Sequence, residues 1–97
     1  MKTKDDILSI LRHAKPNLKK KYQLRSLALF GSYSRGDNTG DSDVDILVEF
    51  EQPISGLRFV QLADDIESCI GLSADVVPAD GVKPRYLGVI QKDLIYV

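Results

Sequence analysis

Apolar and polar residues alternate along this 97-residue chain with the two periods that distinguish helices from strands. Apolar side chains recur at helical spacing over residues 4–14 and 59–70, which predicts two amphipathic helices. The segment 43–50 alternates with period two, which predicts a strand with one face on a core. Short apolar runs at residues 26–30 and 73–77 predict two more strands.

Helix-ending and helix-starting residues set the expected boundaries between these elements. Thr3 is placed to cap the first helix, and Pro16 is expected either to end it or to start a short second helical turn. Ser55 and Gly71 are expected at the two ends of the second helix. Pro84 opens a last predicted helix near its first turn.

The resulting order is helix, strand, strand, helix, strand, helix, with residues 94–97 as a possible final extended stretch. This order predicts an α/β (α+β) fold in which helices pack on a small mixed β-sheet. A length of 97 residues predicts a single domain, residues 1–97.

Composition bears on three properties of the protein: nucleic-acid binding, membrane insertion and cellular compartment. The net charge of −1 argues against direct nucleic-acid binding, because non-specific affinity comes from neutralised phosphates. No apolar run approaches the roughly 18 residues that suggest a membrane span. Cys69 is the one cysteine and has no internal disulfide partner, so a reducing cytoplasm is expected. It is also expected to pack beside the apolar stripe of the second helix.

Two carboxylates, Asp43 and Asp45, fall on the same side of the predicted strand 43–50. Residues two apart in a strand are separated by about 6.5–7 Å. At that distance two unit charges repel by about 2 kcal/mol at an effective dielectric constant of 20. A divalent cation removes the repulsion, and magnesium prefers few carboxylates together with substrate phosphates. The alternative is a pair of solvated aspartates at the start of a strand.

Asp75 lies within the otherwise apolar run 73–77, although aspartate is disfavoured in strands. A third carboxylate on the same sheet face would complete a two-metal site that clamps attacking and leaving oxygens. The alternative is a cap or turn residue at a strand edge.

Gly31-Ser32 interrupts the chain directly after the strand 26–30. Glycine there allows a tight turn and a close approach to a ligand. Backbone N–H groups in such a turn, at the start of a short helical segment, suit a phosphate. The hydroxyl of Ser32 adds a donor, and Arg35 can form charge-assisted hydrogen bonds with phosphate oxygens. Tyr33, next to the turn, could flank a nucleotide.

Taken together, Gly31-Ser32, ten intervening residues and Asp43-Val44-Asp45 resemble the signature of the DNA polymerase β-like nucleotidyltransferase superfamily. The wording Leu-Phe-Gly-Ser-Tyr-Ser-Arg-Gly over residues 29–36 is most similar to the minimal nucleotidyltransferases, or MNT proteins. The resemblance is strong from Leu27 to Val48 and loose after Pro78.

The resemblance implies an antitoxin. MNT proteins are typically encoded beside HEPN-domain ribonuclease toxins, and members with an intact site transfer AMP from ATP to a tyrosine hydroxyl of the toxin. It also implies roles for the motif residues. Asp43 and Asp45 would bind two Mg²⁺ ions, and Asp75 would complete the site and help to activate the hydroxyl. Gly31 and Ser32 would hold the β- and γ-phosphates with support from Arg35.

Two other functions stay open on the sequence. The protein could neutralise a HEPN partner by occlusion alone, or it could transfer a nucleotide to a small molecule, as larger relatives do. The short chain leaves no room for a separate substrate-binding domain, which favours a protein substrate. The preferred nucleoside triphosphate and the choice between homo- and hetero-oligomer are not set by any motif.

Overall fold

The computed structural model describes residues 2–97, which form four helices, a short 3-10 helix and four strands. In chain order the elements are α1 (Lys4–Tyr22), β1 (Leu24–Phe30), α2 (Gly31–Arg35), β2 (Val44–Phe50), α3 (Gly56–Ile70), β3 (Ala74–Pro78), the 3-10 helix (Ala79–Gly81), α4 (Pro84–Ile90) and β4 (Ile95–Tyr96). Beyond the predicted order, α2 lies between β1 and β2, and the final extended stretch forms β4. No helix within residues 2–97 is long and apolar enough to cross a membrane.

The strands form one sheet in the order β3-β2-β1-β4. Strand β1 is antiparallel to both β2 and β4, whereas β2 and β3 are parallel. The predicted α/β fold with a small mixed sheet is therefore confirmed.

One face of this sheet carries the hydrophobic core. A row of register partners, Val76, Ile46, Leu29 and Ile95, crosses all four strands. Ile46 and Leu29 belong to the core cluster, and Val76 and Ile95 pack against it. Residues of α1 and α3 complete that cluster: Ile7, Leu8, Leu11, Leu18, Tyr22, Leu62, Ile66 and Ile70. Because strand side chains alternate between faces, the neighbouring rows point to the opposite face of the sheet.

Helix α1 runs through Pro16 and ends at Tyr22, so the prediction that Pro16 ends the helix is wrong. A proline within a helix removes one backbone hydrogen bond and strains the preceding turn. Leu18 and Tyr22, beyond the proline, are buried in the core, and their packing holds the last helical turn in place. Tertiary burial has overridden local propensity here.

The predicted helix caps are confirmed. Thr3 and Asp6 form a reciprocal capping box at the start of α1, with hydrogen bonds of 2.8 and 3.2 Å. The hydroxyl of Ser55 accepts a hydrogen bond from the backbone N–H of Arg58 at the start of α3. Gly71 ends α3 with a positive φ of 70°.

Cys69 is exposed, so the prediction that it packs beside the apolar stripe of α3 is wrong. The buried stripe of this helix consists of Leu62, Ile66 and Ile70. Cys69 immediately precedes Ile70, and a step of one residue rotates a helical side chain by about 100°, which takes the thiol off the buried face.

Candidate active site

The sheet register brings the candidate carboxylates to one corner of the molecule. Phe30, at the end of β1, pairs with Asp45 near the start of β2, and Asp45 pairs with Asp75 in β3. Neighbouring strands are about 4.7–4.9 Å apart, so Asp45 and Asp75 are side by side on the face opposite the core. Asp43 precedes β2 and lies two residues from Asp45.

Gly31 is in contact with the carboxylate of Asp45. It begins α2 with a positive φ of 75°, and a Cβ placed on it would lie 2.0 Å from Oδ2 of Asp45. An L-residue is therefore excluded twice, by the backbone conformation and by the collision. The glycine lets the chain turn directly against the carboxylate, which places the Gly31-Ser32 backbone beside Asp45.

The side chains of α2 divide between the core and the surface. Tyr33 is only 3% exposed and belongs to the hydrophobic core cluster, so it is not available to flank a nucleotide. Ser32 is half-buried and Arg35 is exposed. Burial of Tyr33 anchors the short helix on the sheet and so fixes the position of the Gly31-Ser32 turn.

The three carboxylates are coupled electrostatically around Asp45. Burial raises the pKa of Asp45 above its ordinary value, and the negative charges of Asp75 and Asp43 raise it further. The positive charge of Arg35 lowers this pKa and partly offsets the rise. Asp45 is half-buried, whereas Asp43 and Asp75 are exposed. Holding Asp45 ionised therefore costs free energy, and bound positive charge would reduce that cost.

Within residues 2–97, no group of three or more His, Cys, Asp or Glu side chains is arranged to enclose a metal ion. The ion pairs of the same residues involve Asp37, Asp65 and Asp93, and none involves the three carboxylates. Such an open set of carboxylate oxygens fits magnesium, which keeps several waters and is bound through one or two carboxylates together with substrate phosphates. Asp43, Asp45 and Asp75 are the residues able to hold it.

Arg35 makes two ion pairs that define its position. Its Nε donates to Asp37 at 3.1 Å, and its Nη1 donates to Asp93 at 2.7 Å. The sequence pattern had not singled out Asp93, because it is 58 residues from Arg35 and belongs to no recognisable motif. Only the return of the chain from α4 to β4 brings it to α2.

The chain is similar to known proteins over its full length. Residues 11–97 match the family described as the nucleotidyltransferase domain. The chain is 44% identical over 98 residues to a protein of Methanocaldococcus jannaschii provisionally named a protein adenylyltransferase, with 100% of both proteins covered. It is 38% identical over 97 residues to protein adenylyltransferase MntA of Thermococcus cleftensis, covering 100% of this chain and 98% of that protein. Fold and site together thus define a nucleotidyltransferase.

A solved structure described provisionally as a minimal nucleotidyltransferase matches this fold with a TM-score of 0.81 and 29% identity. The match covers 97% of this chain and 95% of the other. The protein belongs to the minimal nucleotidyltransferase family.

Two toxin–antitoxin structures share the fold at lower identity. One contains AMP-PNP and matches with a TM-score of 0.72 and 22% identity, covering 87% of this chain and 69% of that chain. The other is a tri-AMPylated HEPN toxin of Shewanella oneidensis in complex with MNT antitoxin, with a TM-score of 0.60 and 22% identity. That match covers 96% of this chain and 66% of the other.

Proposed function

We propose that residues 1–97 act as one catalytic domain that transfers AMP from ATP to a tyrosine hydroxyl of a HEPN ribonuclease toxin. The transfer neutralises the toxin, so the protein is an antitoxin and acts in the cytoplasm. The names of its relatives support protein adenylylation, and the related toxin–antitoxin complexes support a HEPN partner and an adenine nucleotide.

One observation carries this proposal. The register places Asp75 beside Asp45 and the Gly31-Ser32 turn against the same carboxylate. Catalysis of nucleotidyl transfer depends mainly on positioning the reactants and on stabilising charge. It therefore needs a turn that binds phosphate and a set of carboxylates that bind metal ions. Here both parts meet at one side chain.

In the proposed reaction the tyrosine oxygen attacks the α-phosphorus of ATP and forms a new P–O bond. The bond between the α-phosphorus and the bridging oxygen breaks, and pyrophosphate leaves with its electron pair. The phenolic proton passes to the carboxylate of Asp75. Asp75 suits this role because it is exposed and so open to a side chain brought by another protein.

The remaining residues bind and orient the nucleotide. The backbone N–H groups of Gly31 and Ser32 hold the β- and γ-phosphates, and Ser32 adds its hydroxyl. Two Mg²⁺ ions, held by Asp43, Asp45 and Asp75, would supply positive charge at the reacting phosphate and the leaving pyrophosphate. Asp45 would be the central ligand, since it contacts Gly31, pairs with Asp75 across the sheet and lies two residues from Asp43.

The proposal is tested by incubating the protein with Mg²⁺ and the product of the neighbouring gene, which we expect to be a HEPN-domain protein, in parallel with α-labelled and γ-labelled ATP. We expect label on the partner from α-labelled ATP only, and its loss when EDTA removes the metal. Peptide mass spectrometry then identifies the modified residue, which we expect to be a tyrosine. Label from γ-labelled ATP would indicate a kinase and contradict the proposal.

Two variants separate chemistry from general damage. Asp43→Asn removes one proposed metal ligand and should abolish labelling. Asp64→Asn is the matched control, because Asp64 is an exposed carboxylate on α3, away from the site, and should leave labelling unchanged.

Occlusion without catalysis makes a different prediction in cells. If the Asp43→Asn/Asp45→Asn double variant still protects cells fully from the toxin, neutralisation does not depend on transfer. Loss of protection, with a complex that still forms on a gel-filtration column, supports the enzymatic account. Labelling of an aminoglycoside or another small alcohol, with none on the partner, would favour small-molecule transfer instead.

A further inference from the structure

Arg35 is held by two carboxylates that differ in how firmly they are themselves fixed. The Asp93 side chain is only 18% exposed and lies 2.7 Å from Nη1 of Arg35. The Asp37 side chain is 61% exposed and lies 3.1 Å from Nε. The less exposed carboxylate is screened less by solvent, so its ion pair restricts the guanidinium more. Asp93 is therefore the less exposed and closer of the two carboxylates that hold Arg35.

Asp93 is tied to the fold by its backbone. Its N–H donates to the carbonyl of Ile90 at 2.9 Å, at the end of α4. Its own carbonyl accepts a hydrogen bond from the hydroxyl of Ser34, which is buried in α2. The segment from α4 to β4 is thus fastened to the helix that carries Arg35, next to the Gly31-Ser32 turn.

Arg35 lies on the same short helix as the Gly31-Ser32 turn, and its guanidinium retains hydrogen-bonding capacity. The first residue of that helix, Gly31, contacts the carboxylate of Asp45. A guanidinium has five N–H donors, of which two serve Asp37 and Asp93. Three donors stay free for phosphate oxygens, for which arginine provides fixed, planar geometry.

We propose that Asp93 is a positioning residue that orients Arg35 toward the β- and γ-phosphates of the bound nucleotide. The inference rests on the proposed function, since it assumes that a nucleoside triphosphate occupies the site. Restricting a flexible side chain before binding reduces the ordering that binding would otherwise require. The C-terminal segment then contributes to nucleotide affinity without touching the nucleotide.

The test is calorimetric titration of the protein with a non-hydrolysable ATP analogue and, separately, with AMP, both in the presence of Mg²⁺. For Asp93→Asn we expect the Kd of the ATP analogue to rise about three- to tenfold, as for one weakened charge-assisted contact. The Kd of AMP should change less than twofold, because AMP lacks the β- and γ-phosphates. An equal rise in the Kd of both ligands would indicate general distortion of the site and overturn the inference. An unchanged or lower Kd for the ATP analogue would also overturn it.

A double-mutant cycle isolates the route through Arg35. Asp93→Asn should have no further effect in an Arg35→Gln background, because the group that it positions is then absent. Additive losses would mean that Asp93 acts by another route. Asp93→Glu should bind the ATP analogue more tightly than Asp93→Asn does. Asp37→Asn should raise the Kd of the ATP analogue less than Asp93→Asn does.

The same titrations distinguish this inference from the proposed function. If the unaltered protein binds no nucleoside triphosphate, both fail. If it binds the ATP analogue and transfers AMP, but Asp93→Asn binds and transfers identically, the proposed function stands and only the positioning role of Asp93 is overturned.

Discussion

The two faces of β2 are built from alternate residues of one seven-residue strand, yet they do opposite things for the free energy of folding. Val44, Ile46 and Val48 are completely buried against the helical layer. Asp45, between them, faces the other way and is destabilised as an anion by burial and by its neighbours Asp43 and Asp75. The apolar face stabilises the fold, whereas the charges of Asp43, Asp45 and Asp75 reduce its stability, a cost that the proposed metal-binding role would explain.

The difference teaches that stability and activity can be altered separately in one strand. Removing an apolar side chain loses burial and packing. Removing a carboxylate that has no ion-pair partner relieves repulsion. Variants on the two faces should therefore change stability and transfer in different proportions, and the largest contrast is expected at the most central carboxylate.

Asp45→Asn should produce the largest effect on activity. We expect the rate of AMP transfer to fall by at least about 100-fold, the scale seen when a group that stabilises transition-state charge is lost. The melting temperature at neutral pH should not decrease, because the substitution removes an unfavourable charge. Single-turnover labelling and thermal unfolding measure the two quantities. A variant that is inactive because it is unfolded would contradict the comparison between the faces.

Gly31→Ala should lower both activity and stability. The new Cβ would lie 2.0 Å from Oδ2 of Asp45, so the carboxylate or the turn must move. We expect a loss of roughly 1–3 kcal/mol in the free energy of unfolding, as for overpacking, and a large drop in kcat/KM.

Gly36→Ala is the matched control, because Gly36 also has a positive φ, 83°, but nothing within 4 Å of the added Cβ. It should lose about 1–2 kcal/mol from backbone strain alone and keep most of its activity. Urea unfolding measures the stability of the two variants, and initial rates measure their kcat/KM. Equal losses of kcat/KM in both would show that the contact with Asp45 is unimportant.

Ile46→Val should affect only the apolar face. Removing one buried methylene there is expected to reduce the free energy of unfolding by about 0.5–1.5 kcal/mol. For a protein of this size, each kcal/mol lost lowers the melting temperature by about 4–8 °C. Transfer at a temperature well below melting should stay within about twofold of the unaltered protein. A loss of activity comparable to that of Asp45→Asn would break the separation of the two faces.

The smallest expected effect is on the pH dependence of stability. The pKa of Asp45 is raised in the folded protein above its ordinary value of 3.8, so the folded state binds its proton more readily than the unfolded state. This group therefore stabilises the fold most below its ordinary pKa, and that contribution is lost as pH rises through the folded pKa.

Relative to Asp45→Asn, the unaltered protein should accordingly become less stable as pH rises from about 4 toward neutrality. Urea unfolding of both proteins across this range gives the difference directly. Metal-dependent transfer should show the opposite trend, since a metal ligand must be deprotonated, and it should fall as pH decreases through the raised pKa of Asp45. A stability difference between the two proteins that does not vary with pH would contradict the raised pKa of Asp45.

Prediction from sequence succeeded where a local pattern has one structural solution. Alternation over residues 43–50 is compatible with a strand, and Ser55 and Gly71 are compatible with helix ends, because each depends on backbone geometry within a few residues. It failed where packing decides. Pro16 lies inside α1, and Cys69 is exposed although it is among apolar neighbours.

The candidate site divides in the same way. The residues Gly31, Asp45 and Asp75 could be selected from the sequence, because each is unusual for its local element. The burial of Tyr33 and the pairing of Arg35 with Asp93 could not, since both depend on segments that meet only in the folded chain.

The amino-acid sequence by itself determined most of the elements, the mixed sheet they form, the carboxylates suited to a metal and the glycine turn suited to a phosphate, because periodicity and residue chemistry act over short distances. Only the tertiary structure decided how those groups meet. Antiparallel pairing of β1 with β2 brings the Gly31 turn to Asp45, and parallel pairing of β2 with β3 brings Asp75 alongside. Register is set by the packing of whole faces on the helices, and a slip of one residue would turn every one of these side chains to the other face of the sheet.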